Sequence, residues 1–468
     1  MTNYNPTIFI ILKKKYRSIN IKLLLLYNLS GRDAIFLKNI ILTLTFQIFA
    51  SFSTIFITPL ALGFINAERF GLWLVISSIF SWISLLNLGL GSGLRNKLAV
   101  YLSKKDYKLS QELVSTTYFF VSIIAFFVIC FFIIAHNVIN WSQLFNADCS
   151  LKDDLDVSIV ICATSFTIRF IVNIILSIIE ADQKVGLTKV FPCITNVIIV
   201  ITLALVKYYS QPSLTILCLI MVIPEVAVYI IANLILFRTK YAIIAPSISG
   251  IKFRHAIDLM GIGLKFFIIQ IAMIILFSTD NIIITRLFNP SIVTPYNVAM
   301  QYMGYASTIF YLLLSPSLSA FAEAHAHKDN VWIIKTLKRQ IKLWVGLSLI
   351  LFIMTVVSNE IYDFWIGPEI EIPITLTMLM ALFTSLHSWN SIFGNYNTGI
   401  GKINMIMVIC LVIIVINIPL SIYFATDLGL ESRGVIFASI VCILLGSIFA
   451  PIQSYLLITG KARGLWNS

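Results

Sequence analysis

What most constrains this chain is a succession of apolar stretches, each long enough to cross a bilayer. A membrane-spanning helix needs ~20 mostly apolar residues. Twelve such stretches occur, over 39–61, 70–91, 115–135, 157–180, 187–207, 213–237, 261–286, 293–318, 340–357, 372–393, 402–425 and 434–458. Lipid offers no partner to backbone N–H and C=O groups, so each span must be a helix. A membrane β-barrel would instead show ~10-residue alternating segments, and none is present. Composition agrees, since only 12% of residues are charged, about half the roughly 25% of an ordinary soluble domain. The expected fold is an all-α integral membrane protein of about twelve transmembrane helices.

The net charge of +12 would suggest nucleic acid in a soluble protein, but the placement of the charges excludes that partner. Of the 33 Lys and Arg residues, 27 fall at the termini and in loops on one side of the membrane. Five lie on the other side (Arg69, Lys152, Lys207, Arg286 and Arg433), and Arg169 lies inside a span. Such a bias puts the basic loops and both termini in the cytoplasm. The stretch "IFIILKKKYRSINIKLLLLYNL" (8–29) sets charges between two apolar pieces with no cleavage site after them. It reads as a segment lying on the membrane surface rather than a signal peptide. Six of the seven cysteines fall within spans, only Cys149 in an outer loop, and no CxxC pair exists. Neither a disulfide framework nor a zinc site is expected. His325 and His327 in "EAHAH" diverge on a helix, so no metal is expected there either.

A cytoplasmic connection, "RTKYAIIAPSISGIKFRH" (238–255), divides the spans six and six. The expected organisation is an N-terminal segment 1–36, a six-helix half 37–240, a linker 241–260, a second half 261–460 and a tail 461–468. A faint repeat agrees. "FQIFASFSTIFITPLALGFIN" (46–66) lies over "IQIAMIILFSTDNIIITRLFN" (269–289) at an offset of 223, pairing Gln47 with Gln270 and Asn66 with Asn289. The same offset pairs Asp106 with Asp329. Halves of six helices insert the same way up, as parallel repeats about an axis along the membrane normal. Two pseudo-symmetric bundles around a central cavity are therefore expected.

The second span runs into "NLGLGSGLRNKLAVYLSKKD" (87–106), three glycines and then a basic cluster. A dinucleotide fingerprint needs a strand before its glycines and an acidic residue about twenty positions on. A Walker loop needs a Lys where Lys97 does not stand. The plain reading is that the glycines end the span as a helix C-cap, with Arg95, Lys97, Lys104 and Lys105 as headgroup-level charges. A sharper reading comes from resemblance. "LNLGLGSGLRNKLA" (86–99) resembles the second-span signature of bacterial oligosaccharide flippases, which carry O-antigen and other polysaccharide repeat units. These belong to the multidrug/oligosaccharidyl-lipid/polysaccharide exporter superfamily. "FSTDNIIITRLF" (277–288) is similar to their span-7 pattern, although "NPS" (289–291) follows where the family usually has Gly. The resemblance covers about residues 32–460. It implies a flippase of the bacterial inner membrane, with both termini cytoplasmic, and not an enzyme.

Ionisable groups deep in a bilayer cost ~2.5–3.5 kcal/mol on insertion scales. Three positions carry that cost: Arg169 in span 4, Glu225 after Pro224 in span 6, and Asp280 in the outer third of span 7. Arg169 and Glu225 sit at similar depth, so a structural ion pair is one reading. The other is a cavity between the halves, where Arg169 attracts an anionic headgroup and Glu225 or Asp280 carries a coupling H+ or Na+. Asp280 and Arg286 are six residues apart and do not share a helical face. Gln47, Asn173, Gln270, Asn281, Asn297, Gln301, Asn390, Tyr396 and Asn397 form a candidate polar lining suited to sugars. Interhelical hydrogen bonds are the alternative for each. Pro59, Pro192, Pro224, Pro316 and Pro419 permit bends.

On the leading reading the substrate is a polyprenyl-diphosphate-linked glycan, bound by Arg95 and Lys97 at the mouth and by Arg169 deeper, with Arg286 as a fourth cationic candidate. No cofactor is expected beyond the coupling ion. Candidate partners are membrane lipids, a polysaccharide polymerase and a chain-length regulator. A drug or organic-cation antiporter of the same fold is the alternative, kept open by Glu225 and Asp280. A membrane polysaccharide polymerase usually needs a sizeable extramembrane loop bearing carboxylates or arginines. The largest outer loop here, 136–156, has no Arg, and its Asp153, Asp154 and Asp156 read as a solvated acidic face.

Overall fold

A computed structural model describes residues 32–83, 90–254, 264–315 and 317–467. The surface-lying segment expected at 8–29, the end of the linker and Pro316 fall outside them. Sixteen helices carry the fold. In the first half they are α1 (Arg32–Leu62), α2 (Ala67–Ser81), α3 (Leu90–Ser103), α4 (Tyr107–Val138), α5 (Lys152–Val172), α6 (Ile174–Ala181), α7 (Val190–Tyr209) and α8 (Leu214–Arg238). The second half has α9 (Leu264–Leu287), α10 (Pro290–Leu314), α11 (Ser317–Ala326), α12 (Asn330–Val356), α13 (Ser358–Ile366), α14 (Ile374–Gly399), α15 (Asn404–Thr426) and α16 (Ser432–Ile458). There is no strand among the described residues. In its described residues each of the twelve expected spans falls on helix; 84–89 of the second, 261–263 of the seventh and 316 of the eighth lie outside them. Nine helical segments of the described residues are long and apolar enough to cross a membrane. The expected spans that miss this measure include those of α10 and α14, whose Asn297, Gln301, His387 and Asn390 lower their mean hydropathy.

The helices differ in how much they show to lipid. Half of α9's most apolar window is buried, against 17% for α1 and α7. On α1, Phe49, Phe52 and Phe56 stand more than half exposed, as do Phe126, Phe127 and Phe131 on α4. These rings form part of an apolar belt that only lipid can cover.

The glycine-rich stretch does not cap a helix, contrary to expectation. Gly91 and Gly93 are buried inside α3, which runs on to Ser103; Gly89 lies outside the described residues. Small residues let helices approach closely within a membrane, and α3 packs against α4 and α6. The chain turns later. Lys105 takes a left-handed φ of 58°, and the Asp106 N–H bonds back to the Tyr101 carbonyl at 3.0 Å, a Schellman turn. Asp106 then caps α4, its carboxylate accepting from Leu109 N. At the 223-residue offset the same turn recurs. Lys328 has φ 57°, the Asp329 N–H bonds to the Ala324 carbonyl at 2.9 Å, and Asp329 caps α12 through Trp332 N. Asn66 and Asn289 likewise cap α2 and α10. The matched residues are thus matched helix starts.

Two carboxylates fasten the first half. Asp154 does not lie on a solvated acidic face: it accepts from the backbone N–H of Leu214 at 2.7 Å and of Thr215 at 2.9 Å, and from the Ser213 and Thr215 hydroxyls. The start of α8 leaves N–H groups without intrahelical partners, and Asp154 of α5 supplies them across helices. At the other end of this half, Asp182 accepts from Lys240, from Lys184 at 3.0 Å and from the Tyr241 hydroxyl at 2.9 Å. Burial raises the Asp182 carboxyl, but the hydrogen bonds from Lys240, Lys184 and Tyr241 outweigh it and leave the group below its ordinary range.

Asp154→Ala should destabilise the protein by roughly 1–3 kcal/mol, the cost of stranding buried donors, seen as a lower thermal midpoint in detergent. The neighbouring exposed Asp153→Ala should leave that midpoint unchanged. Because the Asp182 carboxyl is depressed on folding, its contribution is present above the ordinary carboxylate pKa and lost as pH falls through the lowered one. Asp182→Asn should therefore unfold more readily than the parent at pH 7, and the gap should close in acid; an equal gap at both would contradict the assignment.

Candidate functional site

The halves meet along a seam between α2 of one and α9 and α10 of the other. It begins at the face opposite the basic loops. There Arg286 donates to the Gln143 carbonyl at 2.9 Å, Asn146 to the Phe288 carbonyl, and the Thr294 hydroxyl to the Ala67 carbonyl at 2.7 Å. Deeper, Asn281 Nδ2 donates to Ser78 Oγ at 2.7 Å, and Ser81 Oγ lies 3.3 Å from Ser278 Oγ. On the flank, Thr58 donates to Gln301 Oε1 at 2.7 Å, Thr54 to the Tyr305 hydroxyl, and Trp365 Nε1 to the Ile55 carbonyl at 2.7 Å.

The closeness of the seam has a steric origin. Gly71 of α2 faces the start of α10 so tightly that a Cβ built on it would stand 1.9 Å from the Pro290 carbonyl oxygen. Pro290 opens α10, where a missing N–H costs nothing. A cavity of about 300 Å³ opens beside the seam, lined by Thr54, Thr58, Trp73, Asn297 and Gln301 among others.

Arg169 sits just past the innermost contacts. With Phe80, Ser81, Phe166, Phe170 and Asn173 it lines a cavity of about 210 Å³. Its guanidinium meets Glu225 Oε1 at 2.8 Å, so the two intramembrane charges of this half do pair, yet the arginine stays 36% exposed and the glutamate 23%. The Phe166 ring lies 5.8 Å from the guanidinium carbon, within cation–π range. Asn173 stands at the break between α5 and α6. The break frees the Val172 carbonyl, which accepts from Asn233 Nδ2 of α8 at 2.8 Å.

The second half holds an acid without a cation. Asp280 is fully buried; one oxygen accepts from the Tyr296 hydroxyl and the other has no hydrogen-bond partner. Asn417 Oδ1 and Ser421 Oγ on α15 are likewise buried and unpartnered, while Asn417 Nδ2 donates to Ser439 at 3.1 Å. The orphaned carboxylate and amide oxygens are acceptors that a proton or a cation would satisfy, whereas the Ser421 hydroxyl can also donate.

The other expected residues separate. Arg95, on α3 near the basic face, is exposed and 3.3 Å from Glu180, with Lys97 two residues on. Gln47 is half-buried and Gln270 exposed. Asn281, Asn297 and Gln301 do line the seam. Three others do not: Asn390 donates to the Ile443 carbonyl at 3.0 Å, Asn397 bonds Gln453 and Ser454, and Tyr396 packs its buried ring on Phe321 at 5.4 Å. They tie α14 to α16 and α11, the interhelical alternative. Arg286 is engaged in the closed end of the seam rather than in an open cavity. Residue reading missed the Ser and Thr hydroxyls of the seam, too common in membrane helices to stand out. It also missed His387, an ionisable group on α14 whose Nδ1 meets the Tyr311 hydroxyl.

The fold is shared with solved membrane transporters. An inward-facing multidrug resistance transporter of the MATE family superposes with TM-score 0.74 at 13% identity, over 90% of this chain and 100% of that one. The outward-facing form gives 0.63 at 12%, over 91% and 96%. A MOP-superfamily transporter from Pyrococcus furiosus, described by a reversed polarity of its binding pocket, gives 0.63 at 12%, over 90% and 96%. No curated protein matches the chain. The chain belongs to the polysaccharide biosynthesis protein family, whose profile matches residues 36–321, and it is a multi-pass membrane protein.

Gly71→Val should force α2 from α10 and open this end of the seam. Cysteines placed at 78 and 281, whose side chains now touch, should cross-link readily in the parent and poorly in the Gly71→Val background. Undiminished cross-linking would mean that Gly71 does not set the approach.

Proposed function

We propose that the protein flips polyprenyl-diphosphate-linked oligosaccharide repeat units from the cytoplasmic to the outer leaflet of the bacterial inner membrane, for surface polysaccharide such as O-antigen or capsule. The observation that carries this reading is Arg169, a cation only partly neutralised by Glu225 and still open to a cavity of aromatic rings and an amide. A guanidinium takes a phosphate through paired N–H donors. The ion pair with Glu225 compensates the charge while no substrate is bound. The family match supports the glycan, and the bias of basic loops supports a cytoplasmic basic face.

On this reading the halves are open toward the cytoplasm and closed at the periplasmic face. Arg95 and Lys97 at the mouth draw the diphosphate in, and Arg169 holds it at mid-depth. Rocking then breaks the seam, which frees Arg286 from Gln143 to meet the headgroup on its way out. Asp280, with one oxygen unpartnered, is the site at which an H+ or Na+ enters the cycle. A polysaccharide polymerase and a chain-length regulator would take the product. The likeness to multidrug transporters, with Glu225 and Asp280, favours an organic-cation antiporter as the second reading.

The test is flipping of a fluorescent polyprenyl-diphosphate oligosaccharide in proteoliposomes. Arg169→Ala should slow it about tenfold or more, as expected for a charge-assisted hydrogen bond of roughly 1.5–3 kcal/mol. Asp280→Asn should keep substrate binding and lose any dependence on an ion gradient. No flipping by the parent, with gradient-driven export of cationic dyes, would overturn the flippase in favour of the antiporter.

A further inference from the structure

A second cationic feature lies away from the seam. On α12, Lys335, Lys338, Arg339 and Lys342 stand at i, i+3, i+4 and i+7, all exposed. That spacing puts them on one face over roughly 10 Å of helix. They line a groove of about 1030 Å³ walled across from them by α10 and α11. Among the described residues no carboxylate pairs with any of the four. Gln340, 5% exposed, also lines the groove, and its side-chain oxygen has no hydrogen-bond partner. Leu313 edges the groove, and Ile309 continues from it along α10, both more than half exposed. The groove thus has a basic end and an apolar continuation into the lipid belt.

The repeat shows what is unusual about this face. Lys338 and Arg339 stand 223 residues after Ser115 and Thr116 on α4. In the first half that place is covered by the linker. Ser115 Oγ accepts from Ser247 N at 3.0 Å, Thr116 Oγ1 from Lys252 N at 2.9 Å, and Gln111 donates to the Ala245 carbonyl at 3.0 Å. In the second half the hydroxyls are replaced by cations. Neither terminal segment is complementary to them: residues 1–31 hold five Lys and Arg and no carboxylate, and residues 459–468 hold Lys461 and Arg463 and no carboxylate.

We propose that this groove holds the diphosphate headgroup of a polyprenyl-linked lipid in the cytoplasmic leaflet, an entry station beside the central cavity. The proposal rests on the flippase reading for the substrate and for the side of the membrane. Four cations over two turns match a diphosphate better than the single phosphate of a phospholipid. The exposed strip on α10 takes the start of the lipid chain, and Gln340 accepts from a hydroxyl of the first sugar. α10 serves both places, since its Asn297 and Gln301 line the seam while Leu313 lines the groove.

Native mass spectrometry of the full chain in neutral detergent tests this with three probes: polyprenyl diphosphate, phosphatidylglycerol and inorganic diphosphate. The parent should retain polyprenyl diphosphate at least about tenfold better than either of the others, a difference of ~1.4 kcal/mol. K338Q/R339Q/K342Q should lose that preference, K338R/K342R should keep it, and R169A should still load the groove. The single variants K338Q and K342Q, at exposed positions, give the same readout in weaker form if the triple variant aggregates. Equal retention by parent and triple variant overturns the groove and leaves the flippase standing. Equal retention of phosphatidylglycerol overturns the assignment to a diphosphate lipid. Retention of no polyprenyl diphosphate by the parent, together with no flipping in vesicles, overturns both readings.

Discussion

The carbonyl of Pro290 occupies the space in which a side chain on residue 71 would begin. That contact sets how closely α2 and α10 approach. With α2 and α10 this close, Thr294 reaches the Ala67 carbonyl, and beside them Asn281 of α9 reaches Ser78. Lipid competes for none of these bonds, and no hydrophobic drive distinguishes helix from lipid in the bilayer core. Close backbone approach and short polar contacts are therefore what hold the halves together at this face. They are also individually weak, since interhelical hydrogen bonds in membranes average ~0.6 kcal/mol, so a seam made of them can open and close.

The halves share a plan but divide its electrostatics. The first places an arginine and a glutamate together beside a cavity, both partly exposed. The second buries a carboxylate completely, with the Tyr296 hydroxyl on one of its oxygens and no hydrogen bond to the other. A charge pair open to the cavity can exchange partners with a charged ligand. A sealed acid can exchange only a proton or a small ion. The chemistry available to each half is thus different although the backbone caps recur at the same offset, Asp106 with Asp329 and Asn66 with Asn289.

Much of the fold was legible in the sequence because lipid leaves few choices: apolar stretches of the right length had to be helices, and the twelve expected spans do fall on helices. The repeat was legible through residues whose role is local, the caps. The glycine run was misread because glycine ends helices and also lets them pack, and only the neighbours of α3 decide between the two. Asp154 was misread for a related reason: its donors lie about sixty residues away, at the start of α8. The buried and partly buried charges were legible in the sequence, at Arg169, Glu225 and Asp280, and so was the option of an Arg169–Glu225 pair. The site was not legible among the amides, where Asn281 lies on the seam and Asn397 in the interior of one bundle. Nothing in either side chain tells which neighbour it faces.

The fastening of α5 to α8 bears on how recognition could survive motion. The two helices are joined at one end by Asp154, further along by Arg169 and Glu225, and at the break before Asn173 by Asn233 and the Val172 carbonyl. Three attachment points along two rods leave them no freedom to slide or splay independently. If the halves rock as proposed, a bundle braced in this way travels as a single lever, and the cleft around the guanidinium keeps its shape whichever side it faces. On the proposed reading, selection of the passenger is built into one rigid arm, and the timing of its release into the joint between the arms.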